Sequence, residues 1–232
     1  YSLIIIPDAG SNDKQYIEKF KCPVLVLDHH ILEDTDMASN MVLINNQTST
    51  NYKNKDLSGA GVTWQFCRAV DEKLNTSYAN YFIDLAALGI DADMMSMLNY
   101  ENQYIIQNGF KNIYNFFFKI LLEKQAYSMG NQINPISVAF YIVPYINAMT
   151  RSGTMEEKLL MLEAMLEWKS DLMIPSTKRG CKGQVETRHE QAGRTCVNVK
   201  SRQKKAQDSS LDYVEDLIEE EDLLDNKILI AR

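Results

Sequence analysis

The stretch LVLDHH, from Leu25 to His30, decides the fold class of this chain. An apolar run that ends abruptly in Asp28, His29 and His30 is typical of a buried strand that delivers polar side chains to the edge of a sheet. The chain has only three histidines, and two of them stand side by side here. Because open α/β sheets bind ligands beyond the carboxyl ends of their strands, this pattern predicts a functional site.

A second apolar run lies upstream and completes a βαβ unit. Ser2 to Pro7 is a short β-branched run of the kind expected for a strand covered on both faces. Residues 11 to 20 carry a candidate N-cap and apolar residues at helical spacing. A strand, a helix and a strand in so short a span predict a parallel sheet, and residues 41 to 45 indicate a further strand.

Beyond residue 56 the sequence is mainly helical. Buried or amphipathic helices are predicted over 61 to 74 and 77 to 90, and further ones near 113 to 127, 134 to 149 and 154 to 169. The predicted fold class is therefore α/β, with a parallel sheet flanked by helices, then a helical region and a connecting helix. The first domain is expected to cover residues 1 to 170.

The formal net charge of −7 hides a strong segregation of charge along the chain. Residues 176 to 205 contain nine basic and two acidic residues, with glycines and little periodicity, which indicates a basic loop or arm over 171 to 207. Such an arm is either a solvated loop or a nucleic-acid contact. Its candidate contact residues are Lys178, Arg179 and Lys182.

The acidic segment that follows predicts a helix. Residues 206 to 225 contain nine acidic residues and no basic one. Leu211, Val214 and Ile218 recur at three- and four-residue steps, which is typical of a helix with a solvated acidic face, so we predict a connecting helix over 208 to 225. The final residues, 226 to 232, resemble the start of a strand and of a further subdomain.

The cysteines and the hydropathy of the sequence indicate the cellular compartment of the protein. The four cysteines are scattered, which favours reduced thiols in a cytoplasmic protein over a disulfide framework. No apolar run approaches the roughly 20 residues of a membrane span, so no membrane association is expected. The chain begins inside an apparent core strand without Met or a signal peptide, which predicts a fragment that lacks its true N-terminus.

Acidic residues follow two more of the predicted elements. Asp8 ends the first strand, so its side chain should converge with those of the Asp-His-His triplet at one edge of the sheet. The segment DLAALGIDADMM runs from an apolar helix into Asp91 and Asp93. Carboxylate oxygen and imidazole nitrogen together suit Mn²⁺ or Mg²⁺. Asp91 is either a ligand or a solvated or capping carboxylate.

Four ordered motifs resemble the DHH phosphoesterase superfamily, and specifically its RecJ-like single-strand exonucleases. They are IIIPDAG, LVLDHH, LSGAGV and DLAALGIDADMM, and VPYINAMTRSG, residues 143 to 153, is similar to a further RecJ-type motif. The resemblance covers roughly residues 1 to 170. The LSGAGV segment has two readings: a tight turn before a closely packed helix, or a substrate contact.

The resemblance implies a role for each matching residue. Asp8, His29 and Asp93 would be metal ligands, Asp28 would orient the histidine pair, and His30 would act beside the scissile phosphate. The resemblance also implies that Arg151 and Asn147 hold a phosphate of the nucleic acid.

The function implied is a metal-dependent 5′ to 3′ exonuclease on single-stranded DNA, with a two-metal site for Mn²⁺ or Mg²⁺, in DNA repair, recombination or phage replication. Replication or repair proteins would be its partners. The first motif of the superfamily and most of its C-terminal subdomain fall outside this sequence, so the activity of the fragment alone stays open.

Two other functions fit the same residues. One is a phosphodiesterase of this superfamily that acts on short oligonucleotides or cyclic dinucleotides. The other is a non-catalytic scaffold in a replication complex, against which the complete set of Asp and His residues argues. The exonuclease and the short-substrate phosphodiesterase would share the same site residues, so a comparison of substrates is needed to distinguish them.

Overall fold

A computed structural model describes residues 1–34, 36–168, 172–181, 183–220 and 223 of the chain. It divides into two compact units, with the boundary between Val143 and Pro144. None of the described helices combines the length and the apolarity that crossing a membrane requires.

The first unit is built on a parallel sheet of three strands within the described residues, in the order β1-β2-β3. The strands are β1 Ile4–Pro7, β2 Val24–Asp28 and β3 Met41–Asn45. Their register places Pro7 beside Leu27 and Asp28 beside Asn45, so all three carboxyl ends meet at one edge. The predicted parallel α/β sheet is confirmed.

One face of this sheet packs on the short helix α1, Lys14–Ile17. Ile17, Val24 and Val26 form its buried core with Ala38. On the opposite face Ile5 is 53% exposed, which differs from the expectation of a first strand covered on both faces. Within the described residues, β1 is the edge strand of the sheet.

Helices make up the rest of the first unit. They are α2 Gly59–Leu74, a 3₁₀ helix Tyr78–Phe82, α3 Ile83–Ala92, α4 Tyr100–Lys111, α5 Phe116–Gln125 and α6 Pro135–Tyr141. The predicted helix over 134 to 149 is interrupted at Ile142, and α7, Val143–Ser152, starts anew across the unit boundary. Pro144 explains the break, because proline has no N–H to bond to the preceding turn.

The second unit carries α8 Met155–Met165, an antiparallel pair of strands, β4 Met173–Pro175 and β5 Val185–Thr187, and the long helix α9 Arg188–Glu220. Thr154 begins α8 with a capping box, because its side chain accepts from the Glu157 N–H and the Glu157 side chain accepts in return.

Only part of the basic segment differs from the loop or arm expected over 171 to 207. From Arg188 onward it forms the first half of α9, preceded by the β4–β5 pair. Ala192, Cys196 and Val199 are buried at helical spacing and give this half its apolar stripe. The helix continues through the predicted connecting helix as far as Glu220, whereas residues 221–222 and 224–232, and with them the predicted subdomain start, lie outside the described residues.

Candidate metal and phosphate site

The site lies at the carboxyl edge of the sheet, where β1 and β2 end together. The Asp8 N–H donates to the Leu27 carbonyl at 2.8 Å, which extends the parallel ladder by one residue. Asp8 then takes a left-handed backbone conformation, with φ of 59°. This turn brings its carboxylate to the side of β2, where Oδ1 lies 3.3 Å from His29 Nε2.

Helix α2 begins against this carboxylate. Ser58 caps the helix by accepting from the Gly61 N–H at 3.2 Å, and Gly59 is its first residue. A Cβ on Gly59 would lie 2.0 Å from Asp8 Oδ1, so a larger residue here would have to displace the Asp8 carboxylate. The geometry of LSGAGV therefore favours close packing of α2 against the sheet edge.

Asp28 is the buried anchor of the Asp-His-His triplet, with 1% of its surface exposed. Its carboxylate accepts hydrogen bonds from the Ser11 N–H at 3.0 Å, from the His29 N–H at 2.8 Å and from His30 Nδ1 at 2.7 Å. Burial alone would raise the pKa of Asp28, but these bonds outweigh it and lower the pKa to about 2. The carboxylate is therefore ionised and fixed in place.

The bond to Asp28 orients His30. An ionised carboxylate only accepts hydrogen bonds, so His30 carries a proton on Nδ1 and its Nε2 is the ring atom left for other partners. The His30 side chain is 58% exposed. It is thus held at one end and accessible at the other, which suits a group that contacts a phosphate.

His29 points the other way, between two acidic residues. Its Nε2 lies 3.3 Å from Asp8 Oδ1 and 4.0 Å from Asp93 Oδ2, and the side chain is largely buried. The hydrogen bond to Asp8 raises the pKa of His29, against the opposing effect of burial, with further contributions from the charges of Asp8 and Asp93.

Asp93 and Asp91 lie at the end of α3. Asp93 is the C-cap, and burial, followed by the neighbouring charge of Asp8, raises its pKa. Asp91 belongs to the last turn, where burial raises its pKa to about 7. Its Oδ2 is buried without a hydrogen-bond partner among the described residues. Two carboxylates with raised pKa at one helix end indicate a place where a cation is electrostatically favoured.

The arrangement fits a divalent cation. One ligand atom from each of Asp8, Asp28, His29 and His30 lies within 4.8 Å of all the others. Ligands of an octahedral Mg²⁺, each about 2.1 Å from the ion, lie about 3 to 4 Å apart. The separations of His29 Nε2 from Asp8 and Asp93 fall in that range. Oxygen and imidazole donors are also those that Mn²⁺ and Mg²⁺ accept.

Sequence reasoning did not single out Ser11 and Asn45. Ser11 supplies a main-chain donor to Asp28, and Asn45 follows the same edge from β3. The Asn45 side chain donates to Ser11 Oγ and to the His30 carbonyl, both at 2.9 Å. The sequence did contain a signal for Asn45, because it is a polar residue at the end of the third apolar run.

The two residues expected to hold a phosphate lie in the second unit. Asn147 and Arg151 are four residues apart on α7, so they share one face of that helix. Asn147 is half-buried and Arg151 is exposed.

The candidate contacts of the basic segment have different surroundings. Lys178 Nζ lies 3.6 Å from the buried carboxylate of Glu186, so the charge of Lys178 is partly neutralised inside the second unit. Arg179 is exposed between β4 and β5. Lys182 lies outside the described residues.

The chain is similar to two curated proteins across nearly its whole length. It is 38% identical over 236 aligned positions to a putative SPbeta prophage-derived single-strand DNA-specific exonuclease, YorK, of Bacillus subtilis strain 168, and equally to its counterpart in Bacillus phage SPbeta. The match covers 99% of this chain but 40% of each relative. No protein-family model matches the chain.

Solved structures of RecJ share the fold. The chain superimposes on a crystal structure of exonuclease RecJ bound to manganese with a TM-score of 0.71 and 21% identity, covering 91% of this chain and 50% of that one. RecJ of Thermus thermophilus, solved with Mn²⁺, gives a TM-score of 0.67 at 20% identity, covering 91% of this chain and 30% of that one. The RecJ-like fold predicted from the four motifs is confirmed.

Proposed function

We propose that this chain is the metal-binding part of a RecJ-like exonuclease that hydrolyses single-stranded DNA from its 5′ end. The observation that carries the proposal is the convergence of Asp8, His29 and Asp93 at the carboxyl edge of a RecJ-like fold. The names of the curated relatives, which are single-strand DNA-specific exonucleases, support the choice of polymer.

Asp8, His29 and Asp93 would hold Mn²⁺ or Mg²⁺, the ions with which RecJ structures were solved, and a two-metal site belongs to the proposal. Bound there, divalent cations supply Lewis acidity toward water and the phosphate. The ionised Asp28 keeps the ring of His30 fixed through Nδ1. His30 can then donate from Nε2, when protonated, to a phosphate oxygen or to the leaving group.

Arg151 and Asn147 are proposed to bind a phosphate of the strand. An arginine forms charge-assisted, often bidentate bonds to phosphate, and the amide of Asn147 adds a donor on the same helix face. Lys178 and Arg179 are weaker candidates for the backbone of the strand, because Lys178 already faces Glu186.

A cytoplasmic location and replication or repair proteins as partners complete the proposal. The scattered positions of the four cysteines along the sequence favour a reducing compartment.

The test is Mn²⁺-dependent release of nucleotides by the protein that contains this chain. Single-stranded DNA labelled at the 5′ or at the 3′ end is compared with a dinucleotide, for the wild type and for Asp93→Ala. Release from the 5′ end that Asp93→Ala abolishes is expected. Asp13→Ala, which alters an exposed aspartate before α1, is the matched control and should leave the rate unchanged.

Each other outcome is informative. Cleavage of the dinucleotide alone would assign the site to short substrates and contradict the exonuclease. Unchanged release by Asp93→Ala would remove this residue from the metal site. No metal-dependent hydrolysis of any substrate would favour the non-catalytic scaffold.

A further inference from the structure

Asn45, at the end of β3, contributes no ligand atom to the candidate site but contacts two loops that form it. The residue is 4% exposed. Its side-chain nitrogen donates to the Ser11 hydroxyl and to the His30 carbonyl, both at 2.9 Å. Its side-chain oxygen accepts from the Gln47 N–H at 2.7 Å. The amide is therefore used as both donor and acceptor.

These contacts join the segments that follow β1 and β2. Ser11 lies three residues after Asp8, and its N–H donates to Asp28 at 3.0 Å. His30 is bonded to Asp28 through its ring. One amide thus ties the loop that carries Asp8 to the loop that carries the histidines.

The hydrogen bond that the Gln47 N–H donates to Asn45 Oδ1 fixes the orientation of the Asn45 amide. Because the Gln47 N–H must meet the oxygen, the nitrogen is turned toward Ser11 and His30. A carboxylate at position 45 would keep the acceptor for Gln47 but would face the His30 carbonyl with a second acceptor. Only the amide satisfies both sides of this buried position.

We infer that Asn45 is a positioning residue of the site, and that its amide holds the loops after β1 and β2 in the register in which Asp8, His29 and His30 converge. The effect on metal binding rests on the proposed function. The effect on the rigidity of the two loops does not depend on it. Residues that orient metal ligands from outside the ligand set have this effect in other metal sites.

The strand offers a matched control at its other end. Asn40 precedes β3 and donates to the carbonyls of Ile17, Phe20 and Cys22 at 3.0 to 3.2 Å. It is thus another asparagine that bonds loops flanking the same strand, on the side away from the candidate ligands. Asn40→Ala should lower stability without changing the site.

The experiment compares amide hydrogen exchange, resolved by residue, in the wild type, Asn45→Ala and Asn40→Ala without added metal. In Asn45→Ala the N–H groups of Ser11, His29 and His30, which all donate to Asp28, should exchange about tenfold faster relative to those of β2. Asn40→Ala should leave this ratio unchanged. Asn45→Asp, which is isosteric, should behave as Asn45→Ala and serves if the alanine variant does not fold.

Mn²⁺ titration of the same variants then tests the consequence. The affinity of Asn45→Ala should fall about 10- to 100-fold, and that of Asn40→Ala should stay at the wild-type value. Unchanged exchange at Ser11, His29 and His30 would overturn the inference. Faster exchange in a protein that binds no Mn²⁺ in any form would instead contradict the proposed function and leave the positioning of the loops by Asn45 supported.

Discussion

The carboxylate of Asp8 occupies the space in which the side chain of any residue larger than glycine at position 59 would lie. The ideal Cβ position of residue 59 is 2.0 Å from Asp8 Oδ1 and less than 3 Å from Asp8 Cγ and Cβ. The first turn of α2 and a candidate metal ligand are thus in direct contact, so a change in the helix should alter the ligand.

Gly59→Ala should weaken Mn²⁺ binding by about tenfold or more, because the new methyl group displaces the Asp8 carboxylate. Alanine is a better helix former than glycine, so the loss should not follow from unfolding of α2. Isothermal titration with Mn²⁺ measures the effect.

Gly109→Ala is the control for Gly59→Ala. Gly109 is a helical glycine of α4 in close contact with Ala87 and Ile83 of α3, with none of the candidate ligands among its nearest atoms. This variant should lower the melting temperature but keep the affinity for Mn²⁺. Equal affinities of wild type and Gly59→Ala would show that Asp8 does not bind the metal.

The low pKa of Asp28 predicts a defined acid dependence of stability. Its pKa of about 2 in the folded protein lies below the ordinary value of 3.8, so the stabilisation is present above about pH 4 and is lost as the pH falls through about 2. Asp28→Asn should lower the free energy of unfolding by about 2 kcal/mol at pH 7. The difference in the free energy of unfolding between the wild type and Asp28→Asn should become smaller toward pH 2.

Urea unfolding curves of the wild type and Asp28→Asn, measured between pH 2 and pH 7 without metal, check this dependence. Comparing the two proteins at each pH cancels the titration of the other carboxylates. A difference in stability that is constant over this range would contradict the assignment of an ionised, hydrogen-bonded Asp28.

Glu186 of β5 is predicted to be a stabilising residue of the second unit. It is 2% exposed and pairs with Arg194 of α9, and although burial opposes ionisation, the bond to Arg194 keeps the pKa of Glu186 below its ordinary value. Glu186→Ala leaves the partly buried Arg194 without its partner and should cost about 3 kcal/mol in urea unfolding.

Arg202→Ala provides the contrast in the same unit. Arg202 pairs with Glu157 at 2.8 Å, but its side chain is more than half exposed, so its loss should cost about 1 kcal/mol or less. If the two variants were equally destabilised, burial would not be the property that distinguishes the two pairs.

Helix α9 contains three lysines, Lys200, Lys204 and Lys205. They are available to a nucleic acid, because none of them forms an ion pair among the described residues. Replacing all three by Gln should weaken binding of single-stranded DNA and reduce the slope of log affinity against log salt by up to about 2. Fluorescence anisotropy at several salt concentrations measures both quantities.

The control for these lysines is the triple change to Gln at Lys73, Lys111 and Lys124, which lie in the last turns of three helices of the first unit. It removes the same charge and should leave the salt slope nearly unchanged. Equal slopes for the two triple variants would show that α9 does not contact the strand.

The sequence pattern was most informative where side chains alone determine the element. The β-branched runs before Asp8 and Asp28 predicted parallel strands, and the structure has them in register. The sequence analysis did not predict α4, whose residues Glu101 and Asn102 are polar, partly or fully buried, and hydrogen-bonded to the loop before α2. No local signal in a single sequence reveals such partners.

The basic segment is a second case in which the local sequence does not reveal the tertiary partners. Small residues such as Ala192 and Cys196 form the buried stripe of α9, and they give a weak hydrophobic period beside many charges. Arg188 and Arg194 then pair with Glu163 and Glu186, which lie outside the helix. A charge run that reads as solvated in the sequence is therefore partly neutralised within the second unit.

By itself, the sequence determined the three strands of the parallel sheet, the order of the motifs and the kinds of donor atoms at the site, because these follow from hydrophobic periodicity and side-chain chemistry. Only the tertiary structure decided that Asp8 occupies the side-chain space at position 59, that Asp28 is a buried anion and that Asn45 joins the two site loops. Each of these depends on distances between residues far apart in the chain, which the packing of sheet and helices sets and which no local pattern encodes.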